Sequence, residues 1–222
     1  MTEPAGDSAR ASKPGATGRR WWRVLLPTAP DVLALLVAQG ELTVTGIAAF
    51  DAWSHGGGKE SARAVRSAQH KAYDARRELL AGLQAALSTP VDQEDLYALS
   101  ERIDRILNAA RNTVREADVL GWTPDGHAEA MSDRLAAGTR ALVEGFKLLR
   151  RDADEAGRRA DAASEAVLHV EHDYREAMVQ LLAVEDLRTV LAAQDIYRRY
   201  LAVAEAIVAV ADRLWFVVLR GA

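Results

Sequence analysis

The chain has 222 residues, of which 49% are hydrophobic and 27% charged, so it is long enough to bury a core as one domain or as two small halves. It has no cysteine, which excludes disulfides and thiolate-bound zinc or iron–sulfur sites and leaves carboxylate, imidazole or amide groups as metal ligands. The formal net charge is −4 and the first 23 residues are basic, so the remaining chain is acidic, which argues against nucleic acid as the main partner.

Residues 1–23 are rich in glycine, alanine, serine and proline, and we predict that they form a disordered basic tail. Glu3 and Asp7 stand where a signal peptide needs positive charge, and no uninterrupted apolar run reaches the roughly 18 residues of a membrane span. We therefore expect a cytoplasmic protein. The segment RRWWR, Arg19–Arg23, allows two interpretations: its tryptophans pack against the first helix, which we favour, or they contact the inner face of the cell membrane.

The first helix is predicted from about Asp31, a good N-cap, to about Trp53. The segment SHGGG, Ser54–Gly58, ends it; this segment lacks the preceding strand and the spacing of a phosphate-binding loop, so it is interpreted as a helix connection. A second helix is predicted from about Lys59 to Leu87, because its apolar residues recur every three or four positions. That spacing places them on one face, towards a core.

The third helix begins in the segment LSTPVDQEDLYALSERIDRILN, where Pro90 stops the second helix and Asp92 can cap the next one. Asp95 lies in the position of a capping-box acid, so we interpret the acids of this turn as helix-initiation residues. Asp104 and Asn108 are four residues apart and lie along the edge of the apolar face, together with Glu101. An edge of this kind is where polar groups that line a groove would lie.

The remaining chain contains a break at GWTPDGH, Gly121–His127, and then no proline. The predicted helices are the fourth, from about Ala128 to Leu149, the fifth, from about Asp152 to Ala183, and the sixth, from about Glu185 to Leu219. No segment shows the alternation of a strand. We predict an all-α protein of six long antiparallel helices in residues 24–222, arranged as two three-helix halves of about 24–122 and 123–222.

A short internal similarity supports two halves, since DARRELLAGL from Asp74 is similar to DYREAMVQLL from Asp173. The apolar segment LWFVVL, Leu214–Leu219, is expected to be buried beneath other helices. A homodimer contact or a membrane-facing patch is the alternative.

With these motifs in place, the chain resembles the PhoU-like accessory proteins associated with Pit-type phosphate transporters. The resemblance is carried by the segment from Leu87 to Asn108, which is similar to a family segment of the form F-hydrophobic-TP-x-DREDI-x-x-L-x-x-x-LDD-x-x-D. By helix order it covers roughly residues 30 to 220. It implies an all-α, non-enzymatic protein that regulates phosphate uptake, and metal binding through pairs of the form Glu/Asp-x-x-x-Asp.

The metal-binding pairs implied by the resemblance are depleted in this sequence. On the second helix the pair aligns with Gln69 and Tyr73, and on the third helix Arg105 and Asn108 stand where aspartates are usual. Because a hard cation needs several anionic ligands to offset its dehydration, we expect weakened binding of a divalent or ferric ion. The candidate ligands that remain are Asp104, Asn108, Glu101, His70, Asp74, Glu171, Glu205 and Asp212.

Two histidines, His169 and His172, flank Glu171 and could take part in a metal site, but the surrounding charged residues favour an exposed polar surface. No nucleophile motif and no Glu-x-x-His motif of a di-iron bundle occurs, so we predict that the protein is not an enzyme.

Three hypotheses follow for the function. We favour a PhoU-like regulator that contacts a Pit-type permease or its signalling partner, as a cytoplasmic protein with peripheral membrane contact and a homodimer as further options. The alternatives are a metal-binding helical bundle and a metal-free helical adaptor with a different partner.

Overall fold

The computed structural model describes residues 30–221. The predicted tail 1–23, including the RRWWR segment, lies outside the described residues, and so do residues 24–29.

Seven helices account for most of the described chain, and no strand occurs among residues 30–221. The predicted all-α helical bundle is therefore confirmed. The helices are α1 Val32–Ala52, α2 Gly58–Ala85, α3 Gln93–Leu120, α4 Gly126–Leu148, α5 Ala153–Leu168, α6 Val170–Leu181 and α7 Leu187–Gly221.

The helix count differs by one from the predicted six, because the predicted fifth helix is interrupted at His169 and becomes α5 and α6. Neither proline nor glycine marks this position. The residues on its two sides, Val167 and Val170, are both buried, and α6 packs against α4, where Asp173 binds Arg134. Packing between helices, rather than a local breaker, therefore accompanies the interruption.

The helix ends follow local signals. The side chain of Asp31 accepts a hydrogen bond from the Ala34 amide at 3.1 Å, and that of Asp92 accepts one from the Glu94 amide at 2.8 Å. Gly121 ends α3 in the left-handed conformation, with φ of 65°. These groups satisfy backbone atoms that the helix termini leave without partners, so the predicted N-caps at Asp31 and Asp92 are confirmed.

The connection between α1 and α2 is a short kink at Trp53–Gly57, where His55 and Gly56 depart from helical backbone angles, instead of a long loop. Gly56 and Gly58 both have positive φ, at 87° and 56°, which glycine adopts without a steric penalty. The three consecutive glycines thus allow α2 to begin directly beside the end of α1.

The central helix is α1, which packs against α2, α3 and α4. An 18-residue window within the helical stretch Val32–Ala85 has a mean hydropathy of 1.7, so by length and composition this stretch could cross a membrane. In the structure 44% of that window is buried. Burial by three neighbouring helices accounts for residues such as Leu36, Ile47 and Phe50, which are fully buried.

One hydrophobic core runs through the described chain, because α3 packs along α7 and α1 packs along α4. A buried polar pair joins α1 to α3: Gln39 donates to the Ser100 carbonyl at 2.9 Å and accepts from the Ser100 hydroxyl at 2.6 Å. Complete pairing makes this burial of polar groups tolerable. The division into halves 24–122 and 123–222 stays a prediction.

The C-terminal segment Leu214–Leu219 is buried on one face only. Leu214, Val217 and Val218 are buried, whereas Phe216 and Leu219 are exposed. The expected burial therefore applies to half of the segment.

Candidate functional site

Asp104 and Asn108, predicted to share a polar edge of α3, meet two side chains of α2. The Asn108 amide donates to Asp104 Oδ2 at 2.8 Å, and Gln69 Nε2 donates to Asn108 Oδ1 at 3.1 Å. Arg76 Nη1 lies 3.4 Å from the same Asp104 oxygen. We name these four residues the polar seam. Gln69, which the resemblance aligns with a metal-binding position of the second helix, therefore contacts Asn108 of α3.

The polar seam contains one carboxylate, two neutral amides and one guanidinium. The side chains of Asp104 and Arg76 are 13% and 21% exposed, so their attraction is only partly screened by solvent. A cation next to Asp104 would be repelled by Arg76 and would gain only amide oxygens as further ligands. The seam therefore favours hydrogen bonding over tight binding of a hard cation.

Among the other predicted ligands, those with charged partners pair along their own helices. Glu101 binds Arg105 of the next turn, and Glu171 binds Arg175 in the same way. His172 lies 3.2 Å from Glu176, also one turn away. Four further candidates and His169 have exposed side chains; the candidates are His70, Asp74, Glu205 and Asp212. The structure thus brings together only Asp104 and Asn108 from the predicted set.

A different trio of metal-capable side chains, which the sequence did not indicate, lies at the end of α1. Ligand atoms of Asp51, His55 and Asp133 are all within 4.8 Å of one another, and no other group of three is found among residues 30–221. Asp51 also accepts a hydrogen bond from the Ser132 hydroxyl at 2.7 Å. The i, i+4 spacing of Asp51 and His55 was visible in the sequence, but Asp133 is distant in the chain.

The pKa of His55 is raised above its ordinary value, chiefly because the protonated ring donates from Nδ1 to the Asp51 carbonyl at 3.0 Å. The carboxylates of Asp51 and Asp133, each 3.7 Å from a ring nitrogen, act in the same direction. The His55 side chain is 41% exposed, so solvent weakens these interactions. The trio is best described as a surface ion-pair cluster.

Two buried carboxylates join distant helices. Asp95, assigned from sequence to helix initiation, is 2% exposed and binds Arg213 of α7, with Arg220 Nη1 a further 3.3 Å contact. This corrects the capping-box interpretation of Asp95, because its carboxylate faces α7 instead of its own helix start. Asp173 is held by Arg134 of α4 through two nitrogens, at 2.5 and 3.3 Å.

The end of the bundle near the break at Gly121–His127 contains an aromatic cluster. The centroid of the Trp122 ring lies 5.9 Å from that of Tyr197 and 6.5 Å from that of Trp53. Tyr200 is fully buried, shares a hydrogen bond of 2.7 Å with the Ser54 hydroxyl, and burial raises the pKa of its phenol. These contacts hold the α1–α2 turn against α7.

The fold and the polar seam define a helical bundle with a carboxylate–amide network between two neighbouring helices. No family model and no curated protein matches this sequence. Among solved structures, the chain is similar to a PhoU-like protein from Shewanella oneidensis MR-1, with a TM-score of 0.65 and 17% sequence identity. The similarity covers 86% of this chain and 96% of that one. The protein therefore has a PhoU-like fold.

Proposed function

We propose that this protein is a non-enzymatic, PhoU-like accessory protein that regulates inorganic phosphate transport through protein contacts, with weak or absent metal binding. The PhoU-like fold over most of the chain supports the general assignment. The observation that carries the proposal for metal is the polar seam, in which Arg76 and two amides surround the single carboxylate of Asp104.

The polar seam supports weak metal binding on electrostatic grounds. Two unit charges at 4 Å interact by about 4 kcal/mol at an effective dielectric constant of 20, so a divalent ion at that distance from Arg76 would meet about twice that repulsion. The 3.4 Å contact between Arg76 and Asp104 is long for a hydrogen bond, so Arg76 holds this carboxylate weakly. Residual binding at high metal concentration is therefore compatible with the proposal.

A contact surface for a protein partner is offered by the turn between α6 and α7. Val179, Leu182, Leu187 and Leu191 are 67%, 86%, 66% and 55% exposed, and they lie on the two sides of this turn. Grouped exposed apolar side chains are typical of sites that bind proteins or membranes. We name these four residues the apolar turn and propose that it contacts a Pit-type permease at the inner face of the cell membrane.

The test is co-expression of the full chain with the Pit-type phosphate permease of the same genome. We expect the chain to copurify with the permease in detergent and to change the rate of phosphate uptake. Replacing Leu182 and Leu187 with glutamate should abolish both effects. The matched control replaces Leu87 and Val119, which are 102% and 71% exposed elsewhere, and should retain them. Unchanged uptake together with no copurification of the wild-type chain would refute the proposal.

The two alternatives predict different results in the same preparation. Near-stoichiometric metal in protein purified without chelator would favour a metal-binding bundle. A metal-free chain that does not bind the permease, but copurifies with another protein through the apolar turn, would favour an adaptor. The oligomeric state of protein purified without a partner also tests the homodimer. Phe216 and Leu219 are exposed apolar side chains available for such a contact.

A further inference from the structure

A cleft of about 790 Å³ opens between the first turns of α2 and the last turns of α3. Trp53 and Val65, both buried, contribute to its floor together with Val114, and Trp122 lies at its edge. This volume is in the range of small-molecule binding sites in proteins. The cleft lies beyond the polar seam, towards the α1–α2 turn, and shares no residue with it.

The cleft is strongly basic although the protein as a whole is acidic. Its lining includes five cations and a single carboxylate, Asp118. The cations are Lys59, Arg63 and Arg66 of α2 and Arg111 and Arg115 of α3. Positions separated by three, four or seven residues share one face of a helix, so each helix presents its cations to the same space.

None of these five cations forms an ion pair with a carboxylate of residues 30–221. Exposed arginines outside the cleft, such as Arg77 and Arg140, also lack an ion pair within the described part of the chain, so the cleft is distinguished by the convergence of five cations on one space. Like charges one turn apart on a helix destabilise it. A cluster of cations that repel each other and have no partner carboxylate is explained more readily by a bound anion than by a structural role.

The start of α2 adds a further favourable element. Its N-cap, Gly57, supplies no side-chain hydrogen bond, and Gly58 and Lys59 of the first turn line the cleft. The N-terminus of a long helix carries partial positive charge and attracts phosphate groups. The helix end and the cations therefore act on an anion in the same direction.

The tryptophans favour a compact ligand over an acidic protein segment. Trp53 is 7% exposed and packs at 5.6 Å against the Phe50 ring, so the floor is rigid and recessed between two helices. Cations on both walls suit a short chain of negative charges, and Trp122 at the edge suits an apolar or aromatic group attached to it. We propose that this basic cleft binds a small molecule that carries two or more phosphoryl groups.

Such a ligand could be a nucleoside di- or triphosphate or an inorganic polyphosphate, and both share the phosphoryl chain that the cations would recognise. The inference does not depend on the proposed role in phosphate transport. Loss of permease binding would leave the cleft unaffected, and loss of ligand binding would leave the apolar turn unaffected.

The test is calorimetric titration of the full chain with tripolyphosphate, adenosine triphosphate and orthophosphate. We expect both triphosphates to bind at least about tenfold more tightly than orthophosphate, because several cations act on linked charges. Affinity should fall as ionic strength rises from about 0.01 M to 0.15 M, since the charges are exposed to solvent. Tighter binding of adenosine triphosphate than of tripolyphosphate identifies a nucleotide, and equal binding identifies the inorganic chain.

The decisive variant pairs Arg63→Gln with Arg111→Gln, which removes one cation from each wall. Both positions are at the surface of helices, and circular dichroism verifies the fold. Tripolyphosphate affinity should fall by about tenfold or more. The control Arg77→Gln with Arg140→Gln makes the same change in net charge at exposed positions outside the cleft and should retain affinity. The proposal would be overturned if the two variants lose affinity equally or if the wild type binds no triphosphate at low salt. Tighter binding of a polyglutamate peptide than of either triphosphate would also overturn it.

Discussion

The ion pair between Asp95 and Arg213 makes the sharpest stability prediction, because it joins the beginning of α3 to the end of α7. Asp95 is 2% exposed, and the Arg213 side chain is 16% exposed. Breaking a buried pair by removing one partner costs about 3–5 kcal/mol when the remaining charge stays dry. Since Arg213 keeps some contact with solvent, we expect Asp95→Asn to lower the free energy of unfolding by about 2–3 kcal/mol.

The assay is urea unfolding of Asp95→Asn, Arg213→Met and the double variant. If the interhelix pair is the source of stability, each single variant is destabilised, and the double-mutant cycle gives a coupling above about 1 kcal/mol. Glu94→Gln is the matched control, because Glu94 is an exposed acid in the same helical turn, and it should cost less than about 0.5 kcal/mol. Coupling near zero, with Asp95→Asn no worse than Glu94→Gln, would refute the reasoning and restore the helix-initiation role.

Three further predictions concern metal, packing and pH. Combining Gln69→Glu with Asn108→Asp should raise Mn²⁺ affinity, measured by calorimetry, by about tenfold or more, because anionic ligand count sets affinity; unchanged affinity would remove the polar seam as a former metal site. Gly46→Ala would force its Cβ into the buried side chain of Leu107, and it should lower the free energy of unfolding, measured in urea, by about 1–3 kcal/mol. Gly126→Ala, whose Cβ would meet nothing within 4 Å, should leave the stability unchanged. Because folding raises the pKa of His55, the protonated ring stabilises the fold fully at pH values below its ordinary pKa of 6.5. This stabilisation is lost as the pH rises through the raised pKa. His55→Asn should therefore reduce stability at about pH 5.5 by less than about 1 kcal/mol and leave it unchanged at about pH 8.5; an equal loss at both values would contradict the assignment.

Part of the candidate site was predictable because it lies along one helix. The spacing of Asp104 and Asn108 places them on the same edge of α3 in any regular helix. Their partners were less predictable, because the contacts of Gln69 with Asn108 and of Arg76 with Asp104 depend on how α2 is rotated against α3. The basic cleft was likewise only partly predictable. Its cations recur with helical spacing in the sequence, but they converge on one space only when the two helices pack.

The sequence by itself determined that the protein is an all-α bundle and where helices with a local cap begin. Caps such as Asp31 and Asp92 act within one helical turn, so their effect can be deduced without knowing any neighbour. Only the tertiary structure decided that Asp95 binds Arg213, 118 residues away, and that the predicted fifth helix is interrupted at His169. The physical reason is that such contacts depend on the rotation and separation of packed helices, which are set by the fit of many side chains together.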